Sequence, residues 1–175
     1  MNKITPENLS KQKLSDIFLN VINDVDTCLA NGIKLNMGIY WGSNPDIDVY
    51  NNYKGLLNSP VCVGCLGGMS VMGLMIPPIP TPNQVTEFVG KYPEVEAMKS
   101  MFDSFRCGSS LIGHYAGQIY YHQNAKEYRT FVLDFENVEK DYVFTQFYGA
   151  VSGPDLDNLK AEIIRFAEHL KQHNY

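Results

Sequence analysis

The sequence contains no charged side chain between Lys54 and Glu87, so this stretch is expected to be buried. It also lacks a hydrophobic run long enough to cross a bilayer, which takes about 20 apolar residues. Its most apolar part is rich in glycine and is ended by Pro77, Pro78 and Pro80. Because proline cannot continue a helix, the pattern predicts burial within the fold and no membrane association.

Basic residues and cysteines are also scarce. The 175 residues include 14 Lys and Arg against 19 Asp and Glu, a net charge of −5, whereas nucleic-acid binding needs clustered basic side chains. With 4 cysteines, a disulfide framework is not expected. The polar opening MNKITPENLSKQKL lacks the pattern of a secretory signal. We therefore expect a cytoplasmic protein of one globular domain, residues 1–175, that binds neither nucleic acid nor a cofactor.

Residues 60–76, PVCVGCLGGMSVMGLMI, form the centre of the chain. Their apolar members recur at spacings of three and four, which predicts one face of a helix. These members are Cys62, Cys65, Met69, Met72 and Ile76. Gly64 and Gly68 would lie one turn apart, where another backbone can approach closely, within the fold or in a homo-oligomer. The cysteines either pack as small hydrophobes or place a nucleophilic thiol at the helix N-terminus.

Four further helices are predicted from capping residues and hydrophobic periodicity. They begin at Thr5-Pro6, at Thr81-Pro82, at Pro93 and at the capping-box pattern of Ser152 and Asp155. The first three end near Gly32, Gly90 and Gly108, and the last runs through Leu170.

Residues 109–148 have a different composition, rich in aromatic and β-branched side chains that favour strands. Residues 119–121 and 128–135, separated by the turn-like HQNAKE, predict a hairpin, although residues 111–122 also have the spacing of a helix. The predicted fold class is α+β, mainly α. Helices would pack around a Gly/Cys-rich central helix, with a small antiparallel β patch.

Aromatic side chains provide the candidate binding residues, because Tyr and Trp are enriched in interface cores and ligand pockets. One group lies in and just before a segment dense in Asn, Asp, Gly and Pro, and a second forms a short strip later in the chain. The candidate residues are Tyr40, Trp41, Tyr50 and Tyr53 in the first group, and Tyr120, Tyr121 and His122 in the second.

Cys62 and Cys65 form a CxxC pattern, and together with Cys107 and His114 they are residue types that bind zinc. Familiar zinc fingers and ribbons have a second closely spaced pair of ligands, which this chain lacks. No metal site is therefore expected.

Two stretches, CLGGMSVMGLMIPPIP and IGHYAGQIYYH, resemble the NlpC/P60 and CHAP type of papain-like amidase. The resemblance implies a nucleophile, Cys65, at a helix N-terminus and a base, His114, in a later strand. The stretches KLNMGIYWG and CLGG resemble the NMxxW and CxxG stretches of small uncharacterised proteins from bacteria and their phages. That second resemblance implies an accessory protein and indicates no chemistry.

The functional expectation is a non-enzymatic binding or inhibitor protein, for instance a phage protein directed against a host system. It would act on a protein partner or a small ligand. The alternative hypothesis is a papain-like cysteine hydrolase, an amidase or peptidase, that uses Cys65 as nucleophile and His114 as base.

Overall fold

The computed structural model describes residues 4–43, 57–108 and 110–175. Within these residues the fold consists of seven α-helices and a small three-stranded mixed sheet, which confirms the predicted α+β, mainly α class. The helices are α1 (Leu14–Ala30), α2 (Leu66–Met75), α3 (Pro82–Lys91), α4 (Pro93–Cys107), α5 (Ile112–Tyr121), α6 (Ala125–Lys140) and α7 (Pro154–Gln172). The strands are β1 (Lys34–Leu35), β2 (Trp41–Gly42) and β3 (Val63–Gly64).

Helix α2 is the predicted central helix, and it begins directly after Cys65, which is its N-cap residue. Its first eight residues are all buried, as expected for a helix that is apolar on every side. Gly64 belongs to β3 rather than to the helix. The predicted pairing of Gly64 and Gly68 on one helical face is therefore wrong, because the chain is extended up to the N-cap.

The glycines of α2 allow three neighbouring elements to approach its backbone. A methyl group at each position would overlap an atom of the neighbour: the Lys99 carbonyl oxygen at Gly67, the Tyr40 carbonyl oxygen at Gly68, and the Asp24 side chain at Gly73. These contacts come from α4, from the residue before β2 and from α1. The faces of Gly67, Gly68 and Gly73 are therefore used for packing within the chain.

An aromatic cluster joins the first, fourth and last helices. The Phe18 ring of α1 lies 4.9 Å from Phe102, 5.2 Å from Phe105 and 4.9 Å from Phe166, measured between ring centroids, and all three pairs meet edge to face. Edge-to-face packing is a favoured geometry for aromatic pairs. Buried apolar side chains from all seven described helices belong to the same hydrophobic cluster.

The sheet lies before α2, and β3 is its central strand. Strand β3 pairs parallel to β1, with Leu35 opposite Gly64, and antiparallel to β2, with Trp41 opposite Gly64. A single antiparallel bridge between Asn36 and Ala150 connects this region to the segment that precedes α7. The sheet thus holds the residues around Tyr40 against the start of α2.

The predicted hairpin of residues 119–121 and 128–135 is wrong, because both segments are helical. They belong to α5 and α6, and the HQNAKE turn joins two helices, with the Asn124 side chain accepting the Glu127 N–H as the cap of α6. Ile112, Ala116 and Ile119 are buried at helical spacing. Strand propensity depends on the packing environment, and here the aromatic residues pack between two helices.

Two predicted helix starts also differ from the structure. Helix α1 begins at Leu14 instead of after Thr5, because the backbone is extended at Gln12 and Lys13, with ψ of 152° and 144°, and the residues before them form only a turn and the short 3₁₀-helix Leu9–Lys11. Helix α7 has Gly153 as its N-cap residue, with φ of 54°, and Ser152 does not cap it. The helix start predicted at Thr81-Pro82 for α3 and the stop at Gly108 after α4 are confirmed, and the structure adds a capping box between Thr81 and Gln84.

No helix in the described part of the chain combines the length and the apolar character needed to cross a membrane.

Replacing Gly68 by alanine is expected to lower the free energy of unfolding by about 2 kcal/mol or more, because the new methyl group would displace the Tyr40 carbonyl. Urea denaturation at pH 7 measures the change. The matched control is Gly90→Ala in α3, where nothing lies within 4 Å of the added methyl. That control should raise stability by about 0.4–1 kcal/mol. Equal effects of the two substitutions would contradict the close packing of α2.

Glu139 is expected to stabilise the fold more at acidic than at neutral pH, the opposite of a carboxyl group whose pKa is lowered by folding. This carboxyl group is buried and accepts the Gly113 N–H at 3.0 Å, and burial raises its pKa in the folded state. A raised folded pKa stabilises the protein at acidic pH, and this contribution is lost as the pH rises through that pKa. The stability of Glu139→Gln relative to wild type should therefore increase from pH 4 to pH 7. The exposed Glu168→Gln is the control, and an equal pH trend in both variants would refute the assignment.

Candidate functional site

Five side chains from α4 and from the β2 region lie beside the start of α2 and form a group of aromatic and charged residues, which we call the Tyr40 surface. Its members are Tyr40, Trp41, Lys99, Asp103 and Arg106. Tyr40 is 47 % exposed, and its hydroxyl donates a hydrogen bond of 3.1 Å to Asp103 Oδ2. The Lys99 ammonium lies 4.8 Å from the Tyr40 ring centroid and 5.8 Å from that of Trp41, within the range of cation–π attraction.

The charged members all come from one side of α4. Lys99, Asp103 and Arg106 are spaced by four and three residues, so they share a face of the helix. Arg106 Nε donates to Asp103 Oδ1 at 2.6 Å, and Lys99 Nζ lies 2.7 Å from Glu96 Oε1. The charges of the surface are thus paired, and the aromatic rings lie above them.

The sheet positions the two aromatic residues. The Asn36 side chain accepts the Gly38 N–H at 2.9 Å and forms the turn that leads into β2. The Tyr40 carbonyl then accepts the Cys65 N–H at 3.4 Å and rests on Gly68. The backbone of Tyr40 is therefore held by the N-terminus of α2.

The electrostatics of the Tyr40 surface keep its hydroxyl protonated. Burial, followed by the neighbouring Asp103 carboxylate, raises the pKa of Tyr40 to about 12. At neutral pH the hydroxyl is therefore a hydrogen-bond donor, which fits its contact with Asp103. The ring is fixed by this bond on its edge and by the Lys99 ammonium near its face.

Cys65 lies beside this surface, and the structure places it as the sequence predicts, at the helix N-terminus. Its Sγ accepts the Gly68 N–H at 3.4 Å, but the residue is only 1 % exposed. Burial is the largest effect and raises the pKa of the thiol, while the backbone N–H groups oppose it in part. The environment thus favours the neutral thiol, which is a poor nucleophile.

His114, the predicted base, lies in α5 rather than in a strand. One ring nitrogen is paired with Gln118 Nε2 at 3.0 Å and the other with the Tyr128 hydroxyl. Within the described residues, no hydrogen bond joins this imidazole to Cys65. Both nitrogens of His114 are therefore engaged by its own helix and by α6.

None of the four cysteines, all of which lie in the described residues, forms a disulfide. Cys28 and Cys65 are buried, whereas Cys62 and Cys107 are partly exposed. Among the residues that the structure describes, no three His, Cys, Asp or Glu side chains converge as a metal site would require. The CxxC pattern therefore spans β3 and the N-cap of α2 without such a cluster.

The three residues of the second predicted group, Tyr120, Tyr121 and His122, each contact a different part of the fold. The Tyr120 hydroxyl donates to the Gln12 carbonyl at 3.0 Å, which ties α5 to the segment before α1. The ring of Tyr121 packs 5.6 Å from Phe131, and His122 Nε2 lies 3.5 Å from Glu94. Tyr120 thus has a structural contact, whereas binding by Tyr121 and His122 stays a prediction. Tyr50 and Tyr53 lie outside the described residues.

The sequence interpretation missed the three charged residues of the Tyr40 surface. A signal was present, because Glu96, Lys99, Asp103 and Arg106 alternate in charge at spacings of three and four, a pattern of one helical face. Nothing local to that helix indicates that β2 lies against it.

No protein-family model, curated protein or solved structure matches this chain.

Iodoacetamide labelling of the native protein at pH 7 is expected to modify Cys62 and Cys107 first. Cys65 and Cys28 are both buried, so the reagent should reach them slowly. Burial also raises the pKa of Cys28 to about 12, so Cys28 should react at least about a hundredfold more slowly than an ordinary thiol. Peptide mapping by mass spectrometry measures each rate, and labelling in urea, where all four thiols should react alike, is the control. Fast and selective labelling of Cys65 would instead support the nucleophile hypothesis.

Proposed function

We propose that this protein acts by binding a protein partner through the Tyr40 surface. The observation that carries the proposal is the Tyr40 ring itself, which is half-exposed yet fixed by Asp103 and Lys99. An aromatic side chain that is already ordered loses little entropy when a partner packs against it. Preorganisation of this kind favours binding.

The residue types of the surface support a protein partner. Tyr, Trp and Arg are the residues most enriched among those that dominate binding energy in protein interfaces, and the Tyr40 surface contains one of each. Its charged side chains are all paired, Arg106 with Asp103 and Lys99 with the neighbouring Glu96, so a partner would meet no isolated charge. Small-molecule sites are usually enclosed clefts, whereas Tyr40 lies at the surface.

Occupying a partner's surface requires no chemical step. An inhibitor of a partner's activity, such as a phage protein directed against a host system, is one concrete form of this function. The buried, neutral thiol of Cys65 and the engaged nitrogens of His114 favour binding over the cysteine-hydrolase hypothesis, since hydrolysis needs the two groups within hydrogen-bond reach.

Tyr40→Ala is expected to weaken partner binding by about 2 kcal/mol, or roughly thirtyfold. Affinity capture with quantitative mass spectrometry would compare wild type, Tyr40→Ala and the control Leu133→Ala, whose side chain is 57 % exposed on α6. The proposal expects a specifically captured protein to be retained by the control and lost with Tyr40→Ala. Its dissociation constant is then measured for each variant by calorimetry.

A conservative variant separates the contribution of the Tyr40 ring from that of the hydrogen bond that holds it. Tyr40→Phe keeps the aromatic face and removes the hydrogen bond to Asp103, so it should lose less affinity than Tyr40→Ala. Thermal unfolding of each variant checks that the fold is intact. A partner captured equally by wild type and Tyr40→Ala would refute the proposal. The same comparison with Tyr50→Ala and Tyr53→Ala tests the predicted residues of the adjoining segment.

A further inference from the structure

The segment between α6 and α7 has one backbone edge bound to the fold. Three alternate residues point their backbone groups inward: the Val143 carbonyl accepts from Arg165 Nη2 at 2.7 Å, the Thr145 N–H donates to Glu162 Oε1 at 3.2 Å, and the Phe147 N–H donates to the Arg106 carbonyl at 3.0 Å. This alternation is that of an extended backbone, in which successive residues direct their hydrogen-bonding groups to opposite sides, although the segment pairs with no described strand and is not one of β1 to β3. The extended segment ends at Gly149, where a φ of 66° turns the chain.

The other backbone edge of residues 143–148 is open. The intervening residues are Phe144, Gln146 and Tyr148, and their backbone N–H and C=O groups form no hydrogen bond with any residue in the described part of the chain. The side chains of these residues share one face. The Tyr148 hydroxyl donates to Gln146 Oε1 at 2.5 Å, and both Gln146 and Phe144 lie against Gly108.

This edge lacks two of the common devices that prevent strand pairing. Residues 142–153, YVFTQFYGAVSG, contain neither a charged residue nor a proline, both of which proteins use to block an exposed strand edge. Val143 is 80 % exposed and Tyr148 is 67 % exposed. The composition is also strongly strand-forming, so the edge is suited to receive another strand.

We propose that this edge pairs antiparallel with the same edge of a second copy of the chain. A two-fold axis at Gln146 would place Gln146 opposite Gln146 of the partner subunit, and Phe144 opposite Tyr148 of the partner subunit. Antiparallel pairing about such an axis is self-complementary, because each donor of one strand meets an acceptor of the other. Aromatic pairs across strands stabilise a sheet.

The lack of charge on this edge favours a second copy of the chain as its partner, and the small size of the edge predicts a weak affinity. Because the segment is uncharged, two copies meet without like-charge repulsion inside the ladder, despite a net charge of −5 on each chain. Six residues span about 20 Å of a strand edge about 5 Å wide, so pairing along them buries on the order of a few hundred Å². That area is small compared with the about 1,200–2,000 Å² of stable interfaces. The dimer should therefore be weak, with a dissociation constant in the micromolar to millimolar range.

Sedimentation equilibrium of the full chain, up to about 1 mM, tests the proposal against this expected affinity. Gln146→Pro removes the central backbone N–H, which forms no hydrogen bond with the described residues. Both this variant and the matched Gln146→Ala lose the Tyr148 contact with Gln146 Oε1, so their comparison isolates the N–H. The proline should weaken dimerisation about tenfold or more relative to the alanine. Gln146→Lys and Gln146→Glu each place like charges opposite one another and should favour the monomer. A 1:1 mixture of these two variants should dimerise again, because Lys then faces Glu.

Amide exchange measured by NMR locates the contact. At high protein concentration, the amides of Phe144, Gln146 and Tyr148 should gain protection, while those of Thr145 and Phe147 are protected at every concentration. A protein that stays monomeric at the highest concentration would overturn the proposal and leave the edge for a strand of another protein. Dimerisation that is unchanged in Gln146→Pro, or that fails to return in the mixture, would also overturn it. Tyr40→Ala should leave this equilibrium unchanged, so the two proposals fail independently.

Discussion

Close backbone contact with helix α2 is the constraint on which the rest of the structure depends. Carbonyl oxygens of Lys99 and Tyr40 rest on Gly67 and Gly68, and the Asp24 side chain rests on Gly73. Glycine weakens a helix by about 1 kcal/mol relative to alanine. That cost is offset because α1, α4 and the strand region bury their apolar side chains against a helix with no bulky surface at these points.

The same contacts position the candidate site. Tyr40 and Lys99, whose carbonyls rest on consecutive glycines of α2, are also the residues whose side chains meet in the cation–π contact. Their spacing is thus determined by two adjacent positions in one helix. Dense packing here also encloses Cys65, so the helix N-terminus that stabilises a thiolate in other settings carries a neutral thiol in this one.

The two proposed interaction surfaces use different chemistry. At the Tyr40 surface, the side chains are ordered by their neighbours, the Tyr40 carbonyl accepts the Cys65 N–H, and Trp41 pairs with Gly64 in the sheet. At residues 143–148, three backbone groups are bound by Arg165, Glu162 and Arg106, and those of Phe144, Gln146 and Tyr148 are open. The first surface offers specific side chains, whereas the second offers an extended backbone edge that matches the same edge of a second copy.

The sequence by itself determined the mainly helical class, the ends of α3 and α4 and the burial of the central run, because caps, glycine stops and missing charges act locally. Only the tertiary structure decided that residues 119–121 and 128–135 are helical, since their aromatic rings pack between α5 and α6. It also decided the site, where Lys99 and Asp103 meet Tyr40 across about 60 residues of chain. Contacts between distant segments depend on how elements pack, and no local pattern records that packing.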